Sequence, residues 1–421
     1  MTTLTITAAD GSGRQVGQRE FITLMAALMS LNALAIDAML PALENIASSF
    51  AIDDPNKRQY VVGVYLLATG FGSLVPGLFA DRYGRRPVLF VALAIYITTS
   101  LFCMIAPSFE VLLGLRALQG FGTASLMVLP AAIIRDRFEG DRMARLVSMI
   151  FIVFMAVPVM APSVGQAVLV FASWEWIFFA LAVFGTAVGV WAAMRLPETL
   201  DPQNRQKIDP RTVIHNLPLT LRTRAAVGYV MGAGLTFGGV FGYINSAQQL
   251  IGEHFDAQEQ FPLIFGASAA TLAFSSWANS RIVERFGARR VSHTALVTFI
   301  LVSLVQVYAA IVHPDSLVWF FPLISINLCL LGFMGANFGS IAMQPFFNSA
   351  GAASSVQAAI RMLLGATMGI TIGQLYDGTA LPLAMALLLS SLLSLCLVLF
   401  SERGMLWTRP RQPRYITESP H

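Results

Sequence analysis

Twelve runs of roughly twenty mostly apolar residues follow one another along this chain, each long enough to cross a hydrocarbon bilayer as a helix. Of the 421 residues, 56% are hydrophobic and only 12% charged, more apolar surface than a soluble protein of this length can bury in its cores. Runs of this length read as membrane helices, expected near 21–43, 60–80, 88–106, 110–132, 146–169, 174–194, 225–249, 260–280, 291–312, 316–342, 353–376 and 379–400. Residues 1–20 are polar and hold no short apolar core with a small-residue cleavage site, so the first run reads as a retained helix. Cys103, Cys329 and Cys396 all fall inside apolar runs, where packing accounts for them better than disulfides or a metal site.

One short motif joins two of these runs and then occurs again. Gly77-Leu-Phe-Ala-Asp-Arg-Tyr-Gly-Arg-Arg-Pro87 links the second and third runs, and Ser280-Arg-Ile-Val-Glu-Arg-Phe-Gly-Ala-Arg-Arg290 links the eighth and ninth, 203 positions later. A repeat at about half the chain length implies two related six-helix halves, a pattern that points to a membrane transporter rather than an enzyme. The copies are unequal: the second has Ser280 for the glycine, Glu284 for the aspartate and Ala288 for the first arginine.

The basic residues divide sharply between the two sides of the membrane. Loops on one side hold 23 of the 27 lysines and arginines, the other side holds only Lys57 and Arg58, and Arg116 and Arg361 stand inside helices. Short loops rich in arginine stay cytoplasmic, so both termini are expected there. The same distribution explains the excess of positive charge as topology, since nucleic-acid binding needs a basic face with readout chemistry. The expected organisation is a cytoplasmic segment 1–20, an N-terminal bundle 21–195, a polar, proline-rich cytoplasmic linker 196–224, a C-terminal bundle 225–400 and a cytoplasmic tail 401–421.

With these residues in view, the chain resembles the major facilitator superfamily, and within it the multidrug proton antiporters of the bicyclomycin-resistance (Bcr/CflA) type. The loop Gly77, Asp81, Arg82, Gly84, Arg85 and Arg86 is similar to the family's G-x-x-x-D-R-x-G-R-R. Arg116, Gln119 and Gly120 resemble its R-x-x-Q-G pattern in helix 4, and Pro158, Pro162 and Gly165 its helix 5 signature, although Gln166 stands where a second glycine is common. Ile36 to Leu43 around Asp37, together with Leu196-Pro-Glu-Thr, resembles the drug-resistance branch. The resemblance spans about residues 20–400. It implies twelve transmembrane helices in two pseudo-symmetric bundles, a cytoplasmic loop acting as a conformational latch, and an arginine in helix 4 concerned with proton coupling.

Asp37 is the sharpest candidate, because a carboxylate inside a membrane helix is expensive unless it faces water or a partner. A single such group can hold a proton or a cationic substrate but not both comfortably, which is the physical core of antiport; the competing reading is a structural carboxylate at a kink made by Pro41. Arg116 either serves proton coupling, with Gln119 one turn away on the same face, or donates to backbone carbonyls of a broken helix. For Asp81, Arg82, Arg85 and Arg86 the alternatives are a latch and plain topology signalling, with Gly77 allowing close helix approach and Gly84 a tight turn. Pro158 and Pro162 remove donors one turn apart and Ala161 with Gly165 makes a small-residue face, which suits a bending interface helix or a merely kinked one. Arg361 either faces the cavity, pairing with an acid or with an anionic substrate group, or snorkels to the cytoplasmic surface.

Substrate contacts are expected at Tyr65, Gln119, Phe237, Phe241, Tyr243, Asn245, Asn337 and Arg361, with Phe121, Phe154, Phe265, Phe338, Gln248 and Asn327 on the same helices. Each aromatic alone is more often lipid-facing or packed between helices. No Walker loop or metal-ligand spacing occurs, so the expected energy source is the proton gradient, with no cofactor and no metal. The expected function is proton-coupled export of small hydrophobic compounds by a monomer in a bacterial-type inner membrane. The alternatives are an exporter or proton symporter for one metabolite, such as a sugar or siderophore, and, from another class, a membrane sensor.

Overall fold

Gly84 and Gly287 occupy matching places in the two halves, and both take backbone angles open to glycine alone. Their φ values of +104° and +85° turn the chain between successive membrane helices at the repeated motif. The computed structural model describes residues 5–7, 15–138, 140–205, 221–346 and 350–407. Among these, eleven helices are long and apolar enough to span a bilayer, and a bent pair raises the count to twelve.

In the first half, α1 (Gln18–Asp37) and α2 (Leu43–Ser49) form the first span. The second span combines α3 (Tyr60–Gly72) and α4 (Pro76–Tyr83). The next four are α5 (Arg85–Met104), α6 (Phe109–Arg135), α7 (Gly140–Phe171) and α8 (Glu175–Arg195). The second half holds α9 (Arg224–Ala247), α10 (Phe261–Phe286), α11 (Ala288–Val312), α12 (Leu317–Met343), α13 (Ala350–Gln374) and α14 (Leu381–Ser401). Large apolar side chains such as Phe171, Leu263 and Val318 remain exposed on the outside, where lipid rather than water is their solvent.

Three departures from the expected helices have local causes. Pro41 cannot donate a backbone hydrogen bond, so α1 stops at Asp37 and a 3-10 turn, Leu40–Ala42, precedes α2. Asp37 therefore ends a helical segment rather than standing mid-helix. The second span bends by 48° between Gly72 and Pro76, where the proline again interrupts the ladder. Ahead of the first span, Thr5–Thr7 pairs antiparallel with Gln15–Gly17, with Ile6 opposite Val16, so the N-terminal segment is not wholly irregular. The tail from 408 and linker residues 206–220 lie outside the described residues.

The halves meet along two helix pairs. α3 packs on α13, where Cβ atoms at Gly63 and Gly70 would run into Ile370 and Leu363, and α7 packs on α10, where Gly266 lies against the Val159 carbonyl. Small residues let these backbones approach closely in the absence of a hydrophobic drive between helices.

Candidate functional site

A cavity of about 690 Å³ lies between the two halves. Its inner end is formed by Asp37, Tyr243 and Phe265, and it runs to Arg135, Met343 and Ser354 at the arginine-rich helix ends. A second cleft of about 410 Å³ around Asp81, Arg85 and Asp136 belongs to one half only. Its walls are joined by ion pairs, whereas a substrate path has to involve both halves, so the larger cavity is the candidate site.

Asp37 lines this cavity at 4% exposure, and among the described residues its carboxylate has no hydrogen bond or ion pair. Its place follows from the Pro41 break and from Gly165, which lets α7 lie directly against the Ala38 carbonyl and Pro41. Pro158 of α7 also lines the cavity, and Pro162 is buried.

Arg116 is fully buried, does not line the cavity and makes no ion pair with Asp37. Its guanidinium donates to the Ala35 carbonyl at 3.0 Å, the Val61 carbonyl at 3.0 Å and Gln119 Oε1 at 2.6 Å, and stands 4.2 Å above the Tyr65 ring. It thereby ties the first, second and fourth spans together just beneath the Asp37 break.

Of the expected substrate contacts, Phe237, Phe241, Tyr243 and Arg361 line the cavity, as do Phe154, Phe265 and Phe338. Tyr65, Gln119, Asn245 and Asn337 do not. Gln119 donates to Ser100 while accepting from Arg116, and the Tyr65 hydroxyl accepts from Asn32. Asn245 donates to the Phe241 carbonyl, and Asn337 to Asn279 and the Phe333 carbonyl. These groups bond inside their own bundles, as a low-dielectric interior favours, although Asn245 Oδ1 is buried without a partner among the described residues. Gln248 and Asn327 are buried outside the cavity, and Phe121 is 41% exposed on the outer surface. Sequence reasoning missed Asn32, Arg135, Tyr229 and Gln357 on the walls. Helical spacing carried a signal for two of them, since Gln357 lies one turn before Arg361 and Tyr229 about two turns before Phe237, each on the same face.

The motif loop is a dense ion-pair system within the first half. Arg85 donates to Asp81 at 2.5 Å and to Asp136 at 2.8 and 3.0 Å. Glu198 accepts from the backbone N–H groups of Arg85, Arg86, Thr199 and Leu200 at 2.9–3.0 Å. The linker thus begins as a structural part of the first bundle. Arg82 is exposed, and Arg86 donates to the Ala193 carbonyl. A Cβ on Gly77 would meet nothing within 4 Å, so no close helix approach occurs there in this conformation. In the second half, Arg289 and Tyr229 both donate to Glu402, at 2.7 and 2.6 Å.

The hydrogen bonds and ion pairs that join the halves cluster at the opposite end, where sequence reasoning had registered Arg58 only as an exception to the charge pattern. Arg58 pairs with Glu253 at 2.5 Å, and Gln59 with Gln249. Asn56 donates to the Tyr376 carbonyl at 2.8 Å and accepts at its own carbonyl from Gln374 at 2.8 Å. Within the second half the Tyr376 hydroxyl donates to the Gln249 carbonyl, and burial, with the Glu253 carboxylate second, pushes that phenol up to about 12. The molecule is therefore closed at this end, with its cavity reaching toward the arginine-rich one.

The family profile of the Major Facilitator Superfamily matches residues 24–370. The chain belongs to that superfamily. A bicyclomycin resistance protein homolog from Haemophilus influenzae is 27% identical over 367 residues, 86% of this chain and 91% of the relative. Multidrug resistance protein MdtL from Escherichia coli is 27% identical over 389 residues, 91% of this chain and 96% of its own length. Among solved structures, a bacterial homolog of the human lysosomal transporter Spinster, inward-facing and occupied, superposes with a TM-score of 0.68. That match covers 91% of this chain and 96% of the other at 16% identity, and it speaks to the fold alone. As a major facilitator the chain is a multi-pass membrane transporter of small molecules and not an enzyme, and the two-bundle helical fold expected from the sequence agrees with this.

Proposed function

We propose that this transporter is a proton-coupled drug exporter of a bacterial inner membrane, working as a monomer by alternating access. The observation that carries the reading is the unpaired Asp37 carboxylate on the wall of a cavity shared by the two halves. In the conformation described, the arginine-rich end faces the cytoplasm, both termini lie on that side, and the cavity takes up substrate from within. Asp37 gives up its proton as a substrate arrives and regains one from outside when the halves rock over. The proton gradient supplies the energy, and no cofactor is needed. The names of the bicyclomycin-resistance and multidrug-resistance relatives support export of small hydrophobic compounds.

Arg116 contributes by holding the backbone at Ala35 and Val61, which sets the position of Asp37 two residues past Ala35. The Asp81, Arg85 and Asp136 system acts as half of a latch that engages the second bundle when the cytoplasmic end closes.

The test is Asp37→Asn in proteoliposomes with an imposed pH gradient. Because the carboxylate makes no bond to protein among the described residues, the variant is expected to fold. Substrate-induced proton movement should be abolished; coupled transport at the wild-type level would overturn the reading.

A further inference from the structure

Among the described residues, the walls of the cavity carry one carboxylate, Asp37, and two guanidinium groups, Arg135 and Arg361. Arg135 is exposed at the mouth. Arg361 lies eleven residues into α13, about 16 Å along the helix axis. Its guanidinium stands on the cavity wall over Phe237 rather than at the helix end, so snorkelling does not explain it. Among the described residues Arg361 has no ion pair and no hydrogen bond; its contact is with the Phe237 ring, 5.0 Å below the guanidinium carbon.

Phe237 is itself held in place. A Cβ on Gly335 would come within 3.1 Å of the ring, and one on Gly365 within 3.4 Å of its Cβ. A guanidinium above a fixed aromatic face keeps its edge N–H groups free, the fork that matches a carboxylate, sulfonate or phosphate.

Asp37 and Arg361 therefore place two opposite, unpaired charges on opposite halves of one cavity. While the cavity is open, water solvates both. Closure expels that water, and an unpaired charge in a dry membrane interior is strongly unfavourable. The halves can close around a compound that brings both counter-charges. We propose that Arg361 is the anion-recognition residue of the cavity and that its substrates are amphoteric, with an apolar body, an anionic group for Arg361 and a cationic group for Asp37. This rests on the cavity being the substrate site; it adds the charge type of the substrate to the exchange at Asp37, since the cationic end is what competes with the proton.

Four probes on one fluorescent scaffold separate the two charges: naphthylalanine, its N-acetyl derivative, its methyl ester and the N-acetyl methyl ester. Binding is measured on the purified full chain in detergent micelles at fixed pH without a gradient, so the result is independent of whether transport is proton-coupled. The wild type should bind free naphthylalanine tightest of the four. Arg361→Gln should weaken naphthylalanine and its N-acetyl derivative by about tenfold to a hundredfold and leave both esters within about twofold. Arg361→Lys, which keeps the charge but not the fork, should fall between them. Asp37→Asn should weaken only the two probes with a free amine. Equal weakening of all four probes by Arg361→Gln overturns the proposal. So does a wild type that binds the fully blocked ester as tightly as the free amino acid, a result that needs no variant to fold.

Discussion

Arg116 is the residue on which most of the first bundle's polar interior converges. Two of its three hydrogen bonds go to main-chain carbonyls, of Ala35 and Val61, on helices that break within a few residues of an intramembrane proline or glycine. Removing the guanidinium leaves the Ala35 carbonyl and Gln119 Oε1 buried without a donor, at about 1–3 kcal/mol each, while the Val61 carbonyl keeps its place in the helical ladder. Arg116→Met is therefore expected to lower stability by roughly 2–4 kcal/mol, read as a clear drop in the thermal unfolding midpoint in detergent. Arg116→Lys, which reaches fewer acceptors, should lie between. A midpoint unchanged in Arg116→Met would mean that the three bonds do not hold these spans, and any transport defect would then have to come from proton chemistry at this site.

At the level of elements, the number and approximate limits of the membrane helices were legible because each apolar run is about as long as the bilayer is thick. The side of each helix facing the cavity was not. Lipid and protein interior are both apolar, so a membrane helix lacks the polar stripe that marks the outside of a soluble one. That is why Gln119, Asn245 and Asn337, read as wall residues, turn out to be bonded inside their bundles. The Leu196-Pro-Glu-Thr motif was visible as a resemblance but not as a mechanism, because two of the four backbone N–H groups that Glu198 binds, those of Arg85 and Arg86, are more than a hundred residues away. Gly84 gave half of that mechanism: a Cβ there would press within 2.6 Å of the Glu198 carboxylate. Glu198 caps the start of α5, so Glu198→Ala should destabilise the fold by about 1–3 kcal/mol through orphaned donors. Substrate affinity should be unaffected, since Glu198 does not line the cavity. A large loss of affinity at wild-type stability would count against a structural cap.

For the whole molecule, the repeated motif encodes two halves, and Glu198 and Glu402 repeat the correspondence, each following its half's last helix and binding near the start of the third. The contacts that choose between conformations come from unrelated loops, Pro55–Gln59 on one side and Gln248 to Tyr376 on the other, and no internal repeat announces them. Arg58 is nearly buried while Glu253 is 38% exposed on its side chain, so the ion pair alone is a modest tie weakened by solvent. Together with the Asn56 and Gln59 hydrogen bonds to the second half it holds this end shut. Arg58→Ala should free the end enough to shift the equilibrium between conformations by about tenfold toward opening here. Spin labels at the exposed positions Asp54 and Asp377, on opposite halves, would report the shift as a longer distance population in lipid nanodiscs. Exchanging the charges, Arg58→Glu with Glu253→Arg, should restore the short distance, which neither single change does. If Arg58→Ala leaves the distance distribution as in the wild type, the closed end is held by the packing of α3 on α13 rather than by these polar contacts.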